Sequence, residues 1–151
     1  MSLDLKAHDL HAVFNDDSDL FKIFNKSGTL ILKCEMQNRA VAGDGFGRYA
    51  RCPRGEFVLG SPRRTRSAPF GYWFTPVLDY DDNHKMRDFK RDGIGIHGGG
   101  SGLPDPFAPR QGWRKTHGCL RVQNEDNQKL VELVKKAQAK GGRVYLTVYG
   151  A

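Results

Sequence analysis

The feature of this sequence best suited to chemistry is a cysteine in a short polar, glycine-containing segment, Thr116-His117-Gly118-Cys119-Leu120-Arg121. A thiolate is a strong nucleophile, but an ordinary thiol ionises near pH 8.5 and needs help at neutral pH. His97, followed by Gly98-Gly99-Gly100, stands at the predicted end of a strand and is a candidate general base. Gly118 lets the backbone approach a substrate closely, and consecutive N–H groups there could hold an oxyanion. Together these residue types describe acyl transfer through a cysteine. Zinc is the competing use of His97, His117 and Cys119. It is disfavoured because only one residue separates His117 from Cys119, and no metal or other cofactor is expected.

These groups need elements to position them. In Thr29–Gln37, Leu30, Leu32, Cys34 and Met36 share one face of a period-2 pattern, which predicts a half-buried strand with Cys34 turned to the core. Leu20–Phe24 reads as an earlier strand, with Asn25-Lys26-Ser27-Gly28 as the turn. Further short strands are expected at Glu56–Leu59, Tyr72–Tyr80 and Gly93–His97, with Trp73 in the core. Helical spacing then takes over. Asn124 reads as an N-cap, Leu130, Val131, Leu133, Val134 and Ala137 as an apolar stripe, and Gly141-Gly142 as the stop. This places Cys119 just before a helix start, where backbone N–H groups would favour a thiolate. Val144, Leu146 and Val148 mark a last strand. Between His97 and Thr116 lie 18 residues rich in Gly and Pro, a length that suggests an active-site flap.

His97 together with Thr116-His117-Gly118-Cys119 resembles the signature of the L,D-transpeptidase (YkuD-like) catalytic domain: a histidine, a loop, then Ser/Thr-His-Gly-Cys. Cys52-Pro53-Arg54-Gly55-Glu56-Phe57 is similar to a second family element, Thr-Pro-x-Gly-x-Phe, and the resemblance covers roughly residues 28–149. It implies a mostly-β, sandwich- or barrel-like domain with one main helix after the catalytic cysteine. Residues 1–27 are then an N-terminal extension or the first strand, and 28–151 the catalytic domain. It further implies Cys119 as nucleophile, His97 as base, Gly98 orienting the imidazole through its carbonyl, and His117 lining the site. Gly118 would help form the oxyanion hole, while Arg121, Trp113 and Thr116 would contact substrate. That substrate is a peptidoglycan stem peptide, converted by L,D-transpeptidase or L,D-carboxypeptidase chemistry through a thioester. Two departures stand out: the loop after His97 exceeds the family's usual spacing, and Arg121 stands where many members carry Asn.

Composition narrows the alternatives. The 151 residues carry 24 Lys and Arg against 17 Asp and Glu, a net charge of +7, which suits an anionic partner. A non-enzymatic basic module that holds peptidoglycan or nucleic acid through Arg63, Arg64 and Arg66, read as a loop, is the rival function; nucleic acid is the less favoured partner. Three cysteines leave at least one thiol outside any disulfide, and a Cys34–Cys52 bridge is less favoured than two core thiols. No apolar run approaches the ~18 residues of a membrane span, and Met1–Asp9 lacks the pattern of a secretory signal. The resemblance nevertheless implies a bacterial protein acting at the periplasm or cell wall, reached by another route or without its leader.

Overall fold

The computed structural model describes residues 4–38, 52–80, 93–116 and 118–150. Nine strands and one long helix are built from them: β1 (Leu10–Asn15), β2 (Leu20–Asn25), β3 (Leu30–Gln37), β4 (Gly55–Leu59), β5 (Arg63–Ser67), β6 (Gly71–Asp79), β7 (Gly95–His97), β8 (Leu120–Val122), α1 (Asn124–Ala139) and β9 (Val144–Tyr149). Strand order is β4-β9-β1-β2-β3-β8-β7-β6-β5, and an additional β4–β6 pairing closes the sheet on itself. Among the described residues only β5 is left as an edge. Two pairings are parallel, β1 with β9 and β7 with β8; the others are antiparallel.

Alternation along the strands decides which side meets the helix. Leu10, Ala12 and Phe14 of β1 point inward with Phe21 and Ile23 of β2, Met36 of β3 and Val144, Leu146 and Val148 of β9. Leu130, Val131, Val134 and Ala137 of α1 close over this surface, and removing the bulk of one such buried leucine costs about 2–5 kcal/mol. The helix ends where Gly141, at φ +80, turns its N–H to the carbonyl of Gln138 while Gly142 bonds Ala137.

Several expectations change in detail. The cap is Gln123, in extended conformation, and Asn124 already belongs to the first helical turn. Arg63–Ser67 is a strand, because cross-strand partners on β6 are in reach once the chain reverses at Phe70. Trp73 is half-buried: its Nε1 donates to Gln128 Oε1 at 3.2 Å, and Arg64 and Lys135 approach its ring at 5.6 and 5.0 Å. All three cysteines are thiols.

Candidate active site

Parallel pairing of β7 and β8 brings the two chemistry-bearing segments together. Ile96 lies opposite Leu120, and His97 opposite Arg121. Ile96, Leu120 and Val122 are fully buried in the core, so alternation turns His97, Arg121 and, two residues earlier, Cys119 to the other face. Cys119 is 8 % exposed and its Sγ donates to the carbonyl of Gly93 at 3.5 Å.

His97 is 2 % exposed, and its Nδ1–H donates to the carbonyl of Gly98 at 2.7 Å. A carbonyl can only accept, so this bond fixes the tautomer and leaves a lone pair on Nε2. Burial pulls the imidazole down to about 4; the Gly98 bond opposes that fall and the Arg121 charge adds to it. The ring is wedged by Phe70, edge-on at 4.9 Å, and by Phe74, stacked at 6.0 Å. Gly98 has to be glycine here, since a Cβ would run into Asn124 Oδ1.

Arg121 is 4 % exposed and lies under the chain. Its Nη1 donates to the Arg114 carbonyl and its Nη2 to the Pro69 carbonyl at 3.5 Å, while the buried Nε has no acceptor among the described residues. Burial lowers its pKa to about 10, against the favourable Cys119 side chain and with Arg114 pushing it further down. It therefore remains a cation at neutral pH. No described carboxylate pairs with it.

Thr116 holds the cysteine turn rather than facing outward. Its hydroxyl donates to the Cys119 carbonyl at 2.9 Å and accepts the Gly118 N–H at 3.1 Å, with Gly118 at φ +111. Trp113 is half-buried between Gly112, whose N–H donates to Gln123 Oε1, and Arg114, whose carbonyl caps Arg121. His117 lies outside the described residues.

Two expectations about this site need correction. Cys119 does not approach the helix start: β8 intervenes, and the first helical N–H groups are taken by Gln111 Oε1 (2.7 Å to Asn124 N) and the Pro109 carbonyl (2.9 Å to Glu125 N). Helix-end stabilisation of a thiolate, which fades within a turn, is therefore not available. The loop between His97 and Thr116, expected as an active-site flap, is fastened at its middle. Asn124 donates from Nδ2 to Pro106 and Ala108 at 2.8 and 2.7 Å and accepts the Gly99 N–H at 3.0 Å. Gln111 Nε2 reaches the carbonyls of Gly99 and Val122. The sequence reading missed Gln111, Gln123 and Phe70, and assigned Asn124 only a cap. A long loop followed by the amide pair Gln123-Asn124 was the available signal.

The other thiols are differently placed. Cys34 is half-buried and pushed up to about 12, chiefly by burial and then by Asp126, so it remains protonated. Cys52 is fully buried, its backbone clamped by Asn38. Among the described residues no cluster of three His, Cys, Asp or Glu is placed to hold a metal, and no described helix is long and apolar enough to cross a membrane.

A family model for the L,D-transpeptidase catalytic domain, YkuD, matches residues 4–146. The chain belongs to that family. Solved structures with the same fold include the helical cell shape determining protein Pgp2 of Campylobacter jejuni, at 15% identity and TM-score 0.67, covering 95% of this chain and 48% of that one. The L,D-transpeptidase (Yku) of Stackebrandtia nassauensis matches at 14% identity and TM-score 0.59, covering 97% and 59%. An L,D-transpeptidase of Enterococcus faecium matches at 13% and 0.56, covering 96% and 50%. The chain thus spans about half the length of these relatives, and at such identities the likeness establishes the fold. No curated protein sequence matches it. The YkuD match includes β1 and β2, which lie inside the sheet between β9 and β3.

Proposed function

We propose that this domain is a cysteine-dependent acyl transferase acting on peptidoglycan stem peptides at the bacterial cell wall or periplasm. The observation that carries the reading is the buried, neutral His97, pinned through Nδ1 to Gly98 with Nε2 left free, on a strand paired in parallel with the one that Cys119 leads into. An imidazole this weak does not draw the proton from an ordinary thiol at rest. The pair rests as thiol and imidazole, and the proton moves as the sulfur begins to bond.

Cys119 Sγ attacks the carbonyl at the L-centre of the diaminopimelate residue while His97 Nε2 takes its proton. Negative charge gathers on the carbonyl oxygen, facing backbone N–H groups around Gly118 and Cys119; the Gly118 donor must first leave Thr116 Oγ1. The C–N bond breaks, the departing D-amino acid takes the proton from His97, and a thioester remains. An amine from a second stem then gives a crosslink, or water gives the trimmed peptide; His97 accepts the incoming proton and returns it to the thiolate. Arg121, a cation buried under the Arg114 and Pro69 carbonyls, steadies the site and lends it positive charge that suits an anionic substrate.

Mass spectrometry of the protein with a diaminopimelate tetrapeptide, beside Cys119→Ala, tests this. Tripeptide or crosslinked product that depends on Cys119 is expected. Neither product nor adduct on Cys119 would favour a module that only holds the wall.

A further inference from the structure

Four residues form one cross-strand row: Arg63 of β5 pairs Phe74 of β6, which pairs His97 of β7, which pairs Arg121 of β8. Directly opposed residues share a face of the sheet, so Arg63 projects to the side that bears Cys119 although it stands at the sheet edge. Three strand spacings place its backbone roughly 14 Å from that of Arg121. Its guanidinium is held in place, with Cζ 4.6 Å from the centroid of the Phe74 ring. That ring is buried and stacked on His97, and Phe70 packs edge-on against both. Such a seat removes rotamer freedom from an exposed arginine. No described carboxylate pairs with Arg63.

We infer that Arg63 is a specificity residue for the acyl donor, binding the α-carboxylate of the γ-linked glutamyl residue of the stem peptide. The inference rests on the stem-peptide reading above. That carboxylate lies on the acyl side of the bond attacked, one γ-linked residue before the diaminopimelate whose carbonyl Cys119 engages. The glutamyl α-carbon and the attacked carbonyl are separated by roughly two extended residues, about 7 Å. Two strand spacings, roughly 10 Å, separate the backbone of Arg63 from that of His97, and the Arg63 side chain leans inward over Phe74 to close that gap on the bound peptide. Arg64 provides an internal contrast: it pairs Trp73 and lies on the opposite, helix-covered face.

The test is calorimetric binding to the Cys119→Ala protein of two tetrapeptides, one with the glutamyl α-carboxylate free and one with it amidated. The free acid is expected to bind about fivefold more tightly, the upper range for a solvent-accessible ion pair. Arg63→Ala should erase that preference and Arg63→Glu should invert it, while Arg64→Ala should keep it. Equal affinities for the two peptides, or a preference that survives Arg63→Ala, overturn the inference. Binding is read without turnover, so a catalytically silent protein with an Arg63-dependent preference would sink the enzymatic reading and leave this one standing.

Discussion

His97 gives up its water to sit among Phe70, Phe74 and the Gly98 carbonyl, and its basicity falls with it. The acidic limb of kcat/KM should therefore lie near pH 4, the point below which the free protein loses its base, instead of near the usual 6.5. A pH–rate profile that already fell by half at 6.5 would contradict a buried neutral imidazole. Stability carries the same signature. A histidine whose folded pKa is depressed binds its proton more readily when unfolded, so its contribution is complete above 6.5 and is lost as pH falls towards 4. That difference amounts to about 3 kcal/mol, and His97→Gln should remove this part of the pH dependence in denaturant titrations. At this scale much was legible: the types and spacing of His97, Gly98, Gly118 and Cys119 suffice to nominate them. Burial of Arg121 was not, because it comes from Arg114 and Pro69 folding over it, contacts 7 and 52 residues away in sequence.

At the scale of elements, a site of this kind needs the strand ends at His97 and Cys119 held in register, and the loop between them does part of that holding. Its residues 105–112 are fastened to the start of α1 by Asn124, Gln111 and Gln123, with Arg110 pairing Glu125 at 2.9 Å on the outside. Asn124→Ala would leave the Gly99 N–H and the Pro106 and Ala108 carbonyls without their partner. Buried orphans of this kind cost roughly 1–3 kcal/mol each, and partial relaxation makes roughly 2–3 kcal/mol in total a reasonable expectation. Urea denaturation should show that loss, and limited proteolysis should cut within 98–112 faster. A change below about 0.5 kcal/mol, the range of ordinary surface substitutions, would show that the loop holds itself. Periodicity made α1, β3 and β9 readable. The three-residue β8 is too short to carry a period, which is why the sequence ran Cys119 straight into a helix. β5 was hidden by its arginines, whose charge reads as loop although an edge strand tolerates it well.

For the molecule as a whole, closure through β4 and β6 makes one ring of strands out of segments far apart in the chain, and no local pattern announces that pairing. The net charge of +7 was plain from composition, but its distribution was not. Beside the candidate site, Arg121 lowers the pKa of His97, Arg114 lowers that of Arg121, and Arg63 closes the cross-strand row at the edge. The strain Arg121 places on a protonated His97, and Arg114 on Arg121, is what an anionic substrate would relieve. Such a field accelerates encounter with a negatively charged peptide and is screened by salt, with a Debye length of about 10 Å at 0.1 M and about 3 Å at 1 M. For a tetrapeptide with all carboxylates free, kcat/KM should thus fall several-fold, on the order of tenfold at most, as ionic strength rises from ~0.05 to ~0.5 M. The chemical step, sheltered from solvent beside a 2 % exposed imidazole, should leave kcat nearly flat over the same range. A peptide with its carboxylates amidated supplies the control, since it should lose little. If both peptides responded alike, or kcat fell with kcat/KM, salt would be acting on the fold or the chemistry, and the positive rim would have no part in drawing the substrate in.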